Sequence, residues 1–209
     1  MFTGLIREFG EVISLQSELL TIKISKKTND SVKIGDSISI NGVCLTVIKK
    51  TNDTFSVELS HETSKLIAIE NYKNGSKVHI EQAMLMTDRL DGHIVQGHID
   101  VVGKITKINK STKGSDFYIS CDKNFLKYII SKGSIAIDGV SLTVNDVYND
   151  GFRLTIINHT LENTLFSKYK INQRINIETD MFARYLYSMF SKNKNMSWDE
   201  VNNILNSNW

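Results

Sequence analysis

Apolar and polar residues alternate along several short stretches of the chain. The alternation is clearest in Ser37–Val47 and recurs in Leu20–Ile24, Thr54–Leu59 and Lys77–Glu81. A period of two is typical of strands with one buried face, and the Asn-Gly pair inside the first stretch predicts a tight turn. Several short strands so close together predict a small closed barrel, which leaves no strand edge exposed.

The same pattern occurs twice. Ser37–Val47 returns 97 residues later as Ser134–Val144, and this offset continues downstream. Gly4–Ile6 returns 93 residues later as Gly97–Ile99. The second copy therefore carries about four extra residues, which we place near Lys113–Ser115. A match of this length at a constant offset predicts an internal duplication.

Helical patterns are few and short. Asp122–Ser131 places apolar residues on one face, which predicts a short helix between strands. Glu62–Glu70 and Thr160–Tyr169 are weaker candidates at matching places in the two copies.

The pattern changes after Glu178. Four apolar residues then follow helical spacing: Phe182, Tyr185, Leu186 and Met189. Residues 197–200 have the form of a capping box that starts a further helix. An apolar helix outside both repeats either packs on a partner chain, which implies an oligomer, or folds back on its own barrel. The pattern alone favours neither.

The composition is that of an ordinary globular protein. Of the 209 residues, 41% are hydrophobic and 23% are charged, and proline is absent, so turns must use Gly, Asn and Asp. The formal net charge is +2 and the lysines are scattered. A dedicated nucleic-acid-binding protein would show a concentrated basic face instead.

Cysteine use and hydropathy point to the cytoplasm. Cys44 and Cys121 are too few for a disulfide framework at this length, and no Cys/His cluster suggests a metal site. No stretch approaches the roughly 18 apolar residues of a membrane span, and the N-terminus lacks a signal-peptide pattern. We expect a cytoplasmic protein with reduced thiols, no metal and no membrane contact.

Three sets of residues carry a resemblance to a known family. They are the start Met1–Ile6, the matched strands Asn41–Val47 and Asp138–Val144, and the segment Gly92–Ile99. Together they resemble riboflavin synthase of the α-chain type, at matching spacing in both repeats, over residues 1 to 190.

The resemblance implies an all-β fold. It consists of two similar six-stranded Greek-key β-barrels plus a C-terminal α-helix, assembled as a homotrimer through that helix. On this basis residues 1–96 form an N-terminal lumazine-binding barrel, residues 97–181 a C-terminal one, and residues 182–209 a helical oligomerisation tail.

The resemblance also implies a reaction. One molecule of 6,7-dimethyl-8-ribityllumazine gives a four-carbon unit to a second, and the products are riboflavin and 5-amino-6-ribitylaminouracil, with no cofactor or metal. The N-terminal barrel of one subunit pairs with the C-terminal barrel of its neighbour, so two similar pockets hold the two substrates. Which barrel holds the donor, and whether the chain associates with lumazine synthase, stay open.

Nine residues match catalytic positions of the family: His98, Cys44, Ser37, Asp138, Ser141, Thr143, Lys132, Phe2 and Thr3. His98 stands where the first repeat has Leu5, and an imidazole can move protons at neutral pH. It would take a proton from the methyl group on carbon 7 of the lumazine. His93 is the competing imidazole.

Several of these residues also have plain structural interpretations. Cys44 could add to the acceptor ring or donate a hydrogen bond, but a free cysteine is often a small core residue. Asp138 could be an ordinary turn residue. Lys132 could stabilise developing negative charge or lie in solvent at a helix end.

Twenty further positions match the family's substrate-binding residues. They are Gly4, Leu5, Ile6, Leu45, Thr46, Glu58, Leu59, Ser60, His61, Glu62, Thr63, Gly97, Ile99, Leu142, Thr155, Ile156, Ile157, Asn158, His159 and Thr160. The family often has proline where this chain has His61 and Asn158, so the loops there depart from the family pattern.

The main rival is a non-catalytic relative, a fluorescent protein that binds lumazine or flavin. Such proteins lose site residues in the second repeat, whereas here His98, Lys132, Asp138, Ser141 and Thr143 remain. A nucleic-acid-binding barrel ranks last, since aromatic and basic residues are not interleaved. The sequence therefore favours the enzyme.

Overall fold

The computed structural model describes residues 1–192, which form two closed six-stranded antiparallel barrels followed by a helix. The strands are β1 Glu8–Gln16, β2 Leu19–Lys23, β3 Ser37–Ile40, β4 Val43–Lys50, β5 Thr54–Glu58, β6 Lys77–Gln82, β7 Val101–Ser111, β8 Gly114–Ser120, β9 Ser134–Ile137, β10 Val140–Val147, β11 Gly151–Ile157 and β12 Arg174–Thr179. The α-helices are α1 Lys26–Ser31, α2 His61–Leu66, α3 Lys123–Leu126, α4 Asn158–Glu162 and α5 Met181–Lys192. Two short 3₁₀ helices span Ile69–Tyr72 and Leu165–Lys168.

Both barrels have the predicted Greek-key order. Around the first barrel the strands run β1-β2-β5-β4-β3-β6, and around the second the equivalent strands follow the same order. The connection from β2 to β3 crosses one end, so β2 pairs with β5 rather than with β3. Closure pairs β1 with β6, which removes the free edges.

The β3–β4 hairpin turns at the predicted Asn-Gly pair. Asn41 has φ +45° and Gly42 has φ +81°, and the matching Asp138 and Gly139 have φ +44° and +82°. Two successive residues with positive φ are typical of the turns that best connect twisted strands. The two turns also lie against each other, since a Cβ on Gly42 would stand 2.7 Å from the amide nitrogen of Gly139.

The extra residues of the second repeat lengthen one hairpin. β7 has 11 residues against 9 in β1, and β8 has 7 against 5 in β2. The prediction that the insertion lies near Lys113–Ser115 is confirmed, because β8 begins at Gly114.

Each barrel has its own apolar core. Phe55, Val57 and Leu20 are fully buried in the first, and Phe152, Leu154 and Phe117 occupy the matching places in the second. The inward positions of each strand fill the barrel, as the alternating pattern predicts.

A buried polar contact joins the barrels with approximate twofold symmetry. His79 Nε2 accepts the Leu165 N–H at 2.8 Å, and its Nδ1 lies 2.9 Å from the Asp138 carbonyl oxygen. Asn176, at the matching position, accepts the Ala68 N–H at 2.7 Å and donates to the Asn41 carbonyl oxygen at 2.9 Å. Different side chains thus make the same pair of bonds.

The predicted helices are present, with one shorter than expected. The weak candidates after β5 and β11 are α2 and α4, each followed by a 3₁₀ helix. In the Asp122–Ser131 stretch only Lys123–Leu126 is α-helical. Beyond Leu126 the α-helical pattern stops, since the amides of Tyr128 and Ile129 donate to carbonyl groups only three residues back, at 3.0 Å each.

The chain after the second barrel forms the predicted helix α5. Its apolar residues Phe182, Leu186 and Phe190 are 57%, 54% and 65% exposed. The further helix predicted from residue 197 lies outside the described residues. Within residues 1–192 no helix combines the length and the hydrophobicity needed to cross a membrane.

Candidate functional site

The segment that carries His98 contacts Cys44, although the two belong to different repeats. The Cys44 N–H donates to the Gly97 carbonyl oxygen at 2.8 Å. A Cβ on Gly97 would stand 2.5 Å from Cys44 Cβ, and its φ is +83°, so only glycine fits this close approach. The next residue, His98, has an exposed side chain. The segment of the second repeat that precedes β7 therefore places His98 at the first barrel, next to the Gly97–Cys44 contact.

A cavity of about 550 Å³ lies beside Cys44. Its lining is Glu18, Cys44, Leu45, Thr46, Ile48, Glu58, Ser60, His61 and Thr63. Ser60 caps α2 by accepting the Thr63 N–H at 3.0 Å, which fixes the loop at the cavity wall. We call residues 44–46, 58–63 and 97–99 the N half-site.

The second barrel repeats this arrangement with different chemistry. The Ser141 N–H donates to the Gly4 carbonyl oxygen at 2.8 Å, and a Cβ on Gly4 would stand 2.5 Å from Ser141 Cβ. Ser141 Oγ lies 2.7 Å from His93 Nδ1. Burial lowers the pKa of His93, although the nearby Asp180 carboxylate opposes the shift. We call residues 141–143, 155–160, 4–6 and His93 the C half-site.

We call residues 4–6 and 97–99, which precede the first strand of each repeat, the two arms. They are exchanged between the barrels. Ile6 of the first repeat packs against the core of the second barrel, and Ile99 of the second repeat packs against the core of the first. The two repeats follow one another along the sequence, but each barrel is completed by a segment of the other repeat.

Two matching carboxylates hold these arms. Glu81 accepts the N–H groups of Thr3 and Gly4 at 2.7 and 3.0 Å. Glu178 accepts those of Gln96, Gly97 and His98 at 2.7, 2.8 and 3.1 Å. Burial raises the pKa of both carboxyl groups, and the hydrogen bonds lower it in part. Their roles are visible in the sequence only as a matched pair of glutamates.

The first residues lie in the interior. Phe2 is fully buried against Val95 and Ala136, and its N–H donates to the Val95 carbonyl oxygen at 2.8 Å. Thr3 Oγ1 donates to Glu81 at 2.7 Å. Thr3 also lines a separate cavity of about 510 Å³ that Ser37 shares. These three predicted catalytic residues therefore lie around the arm of the C half-site and the adjoining cavity.

Asp138 lies apart from Ser141. It is 1% exposed, and its carboxylate accepts the Tyr169 hydroxyl at 2.6 Å and the Asn176 N–H at 2.8 Å. Burial raises its pKa to about 7. The carboxylate belongs to the contact between the barrels, so its position supports the turn interpretation rather than contact with a substrate.

Lys132 has an unusual backbone. Its φ is +66°, where the matching residue of the first repeat is Gly35 with φ +95°. A left-handed lysine costs energy that glycine would avoid, and such strain often accompanies function. Lys132 and Thr143 both have exposed side chains.

The remaining predicted binding residues divide between surface and core. Exposed side chains belong to Glu58, Ser60, His61, Glu62, Thr155, Ile157, Asn158 and His159. Leu59 and Ile156 are buried at 0% and 1% exposure, so only their backbones could reach a ligand. Leu5, Leu142, Thr63 and Thr160 are half-buried.

Comparison with known proteins agrees with this architecture. The model of the lumazine binding domain matches twice, at residues 3–83 and 96–180. Riboflavin synthase of Photobacterium phosphoreum is 41% identical over 190 residues, and the match covers 89% of this chain and 87% of that protein. Riboflavin synthase of Bacillus subtilis is 40% identical over 196 residues, covering 92% and 91%.

The chain belongs to the riboflavin synthase family. Riboflavin synthases are transferases, so the predicted enzyme class is confirmed. Among solved structures, LumP complexed with riboflavin superposes with a TM-score of 0.77 at 22% identity, covering 86% of this chain and 99% of that one. That likeness shows the shared barrel fold.

The family motifs predict His98, Cys44 and Ser141 as site residues, but they do not reveal the His93–Ser141 contact. His93 and Ser141 are 48 residues apart. The sequence offers one signal for this pair, a second histidine in Gly92–Ile99. It lies beside one of the two arms, and the repeat predicts which strand that arm contacts. Within the described residues no group of three His, Cys, Asp or Glu side chains could hold a metal.

Proposed function

We propose that the chain converts two molecules of 6,7-dimethyl-8-ribityllumazine into riboflavin and 5-amino-6-ribitylaminouracil. One observation carries the proposal: two half-sites share one backbone arrangement but differ in chemistry. The N half-site has Cys44 bonded to Gly97, the residue before His98, and the C half-site has Ser141 within hydrogen-bond distance of His93. A reaction between two identical molecules in unlike roles needs such a pair.

The half-sites can divide the chemistry. His98 is exposed beside Cys44 and would take the proton from the carbon 7 methyl group. The lowered pKa of His93 keeps its imidazole neutral, so it can accept the Ser141 hydroxyl proton or that of a bound water and activate the oxygen for addition to a ring. Lys132 would stabilise negative charge that develops on the rings.

Holding the two rings together removes most of the entropy cost of their encounter. Orientation of this kind supplies up to about 7–11 kcal/mol in favourable cases. We propose that the N half-site of one subunit faces the C half-site of a neighbour in a homotrimer. The exposed apolar residues of α5, which include Leu186 and Phe190, support this assembly.

The loops of both half-sites offer polar groups for the ribityl chain. In the N half-site these are Glu58, Ser60 and Thr63, and in the C half-site Thr155 and Thr160. A hydroxyl-rich ligand requires several placed donors and acceptors. The unpaired Cys44 and Cys121 support a cytoplasmic location, where thiols stay reduced.

Mixing two inactive variants tests the shared site. His98→Ala disables every N half-site and Ser141→Ala every C half-site, so each variant alone should lose most turnover. When the two chains are co-assembled, a site between a normal N half-site and a normal C half-site returns. Random assembly should restore roughly one quarter of normal activity, since each half-site is intact in half of the chains.

Riboflavin formation, measured by its fluorescence, is the readout, and binding of riboflavin to each variant checks that the pockets still fold. No recovery on mixing would show that both half-sites of a working site come from one chain. Bound lumazine without any riboflavin from the native chain would instead support a non-catalytic lumazine-binding protein.

A further inference from the structure

Arg184, in the first turns of α5, reaches the segment that carries His98. Its guanidinium donates to Asp100 Oδ1 at 2.7 Å and to Gln96 Oε1 at 2.8 Å. These two acceptors stand immediately before and after residues 97–99. The guanidinium is planar and holds its N–H donors in a fixed geometry, so one arginine can bind both acceptors. We call the hydrogen bonds of Arg184 to Gln96 and Asp100 the clamp.

The same segment is tied to β12 on its other side. Glu178 accepts three of its amides, and Asp100 Oδ2 accepts both the N–H and the hydroxyl of Thr179, at 2.7 and 2.6 Å. Asp100 is 11% exposed as a side chain and Arg184 28%. The ion pair is therefore sheltered, which makes it stronger than a pair in open solvent.

The first repeat lacks this clamp. Glu81 holds the arm at Thr3 and Gly4 in the way that Glu178 holds the second arm. Arg7 stands where the second repeat has Asp100, and the position that matches Arg184 is the exposed Thr87. An arm can thus be held without the clamp, so the clamp is a special feature of the arm that carries His98.

The helix that provides Arg184 sits on its own barrel by one side only. Tyr187 packs edge-on against Tyr128, with ring centres 5.3 Å apart, and Lys127 Nζ lies 4.8 Å from the centre of the Tyr187 ring. The apolar side of α5 with Phe182, Leu186 and Phe190 is exposed. A shift of α5 on the barrel would therefore shift Arg184 as well.

We propose that Arg184 is a positioning residue that makes the placement of His98 beside Cys44 depend on how α5 is seated. It does not touch the substrate. It fixes Gln96 and Asp100, and through them the Gly97 carbonyl group that binds the Cys44 N–H. The inference rests on the proposed role of His98 and adds the residue that couples the helix to it.

Amide hydrogen exchange and kinetics test the clamp in the full chain. Arg184→Gln should speed exchange at residues 96–98 severalfold while residues 3–4, held by Glu81 alone, stay unchanged as an internal reference. Because a small misplacement of a reacting group costs roughly ten- to hundredfold in rate, kcat should fall by that factor with little change in KM.

Two further variants separate the clamp from assembly. Gln96→Met removes one acceptor outside α5, so it should also lower kcat. Its oligomeric state, measured by light scattering, should stay unchanged. Arg184→Lys keeps the charge but cannot bind both acceptors at once. Its kcat should lie between that of Arg184→Gln and that of the native chain. Arg174→Gln breaks an ion pair with Glu70 away from both arms, and it should alter neither exchange at 96–98 nor kcat.

Normal kcat and normal exchange in Arg184→Gln would overturn the proposal. So would a loss of kcat with unchanged exchange at 96–98, or a loss in Arg184→Gln alone that tracks dissociation of the oligomer while Gln96→Met is fully active. Faster exchange in Arg184→Gln together with full activity of His98→Ala would support the clamp and refute the role of His98.

Discussion

Protonation of His79 should loosen the contact between the barrels at acid pH. The side chain is 1% exposed, its Nε2 accepts the Leu165 N–H, and its Nδ1 bonds to the Asp138 carbonyl oxygen. A protonated ring would turn the Nε2 acceptor into a donor that faces another donor. Burial lowers the pKa of His79 from 6.5 to about 4.

The size of the effect follows from linkage. The unfolded chain takes up the proton below pH 6.5, but the folded chain does so only near pH 4, so the unfolded state binds more protons across this window. The stabilisation is fully present above pH 6.5 and is lost as the pH falls through 4. The free energy of unfolding should drop by about 3 kcal/mol between pH 7 and pH 4 from this group.

A matched variant separates the contribution of His79 to the pH dependence of stability from that of other titrating groups. Asn176 makes the same two hydrogen bonds at the equivalent place, so His79→Asn should keep the bonds and remove the titration. The other carboxyl groups, Asp138 included, remain in both chains. Their contributions cancel in the difference between the native chain and the variant.

Chemical denaturation followed by far-UV circular dichroism from pH 4 to 7.5 measures that difference. We expect the variant to gain about 3 kcal/mol relative to the native chain on going from pH 7 to pH 4. A constant offset between the two chains over the whole range would refute the reasoning. It would mean that His79 is protonated in the fold or that the ring never becomes buried.

Two further predictions concern the site and the contact between barrels. Gly97→Ala should lower the free energy of unfolding by about 3 kcal/mol or more and reduce turnover, because the new Cβ meets Cys44 at a positive φ. Gly35→Ala, with φ +95° and no atom within 4 Å, should cost only about 1–2 kcal/mol of backbone strain, and equal losses in thermal denaturation would contradict the clash. Asp138→Asn should remove a term that stabilises the fold fully below pH 3.8 and is lost as the pH rises through about 7, since burial raises the pKa of Asp138. Denaturation curves from pH 4 to 8 check this, and an unchanged pH slope in the variant would count against it.

Local pattern and repetition predict most of the fold. The strands β3 and β4, their turn at Asn41-Gly42 and the duplicated copy all follow from alternation and from the offset of the repeats. The helix α5 follows from spacing alone. Element ends are harder to predict: α3 stops at Leu126, where the following amides bond three residues back instead of four.

The candidate site is only partly predictable. Resemblance to the family predicts Cys44, His98 and Ser141 as site residues. The structure brings Cys44 against Gly97 and Ser141 against Gly4, and His98 follows Gly97 in the chain. Resemblance also includes Asp138, whose carboxylate the fold uses to join the barrels. A residue beside a turn can point to either place, and only its neighbours in space decide.

The sequence by itself determines the duplication, the strands of each copy with the turns between neighbouring strands, and the residue types available for chemistry. These features rest on contacts between neighbours or on symmetry between copies. Only the tertiary structure decides that the arms are exchanged, that His93 meets Ser141 and that Arg184 brackets His98. Those contacts join residues at least 48 positions apart, so no local periodicity records them, and they form because buried polar groups must find hydrogen-bond partners wherever the chain brings them.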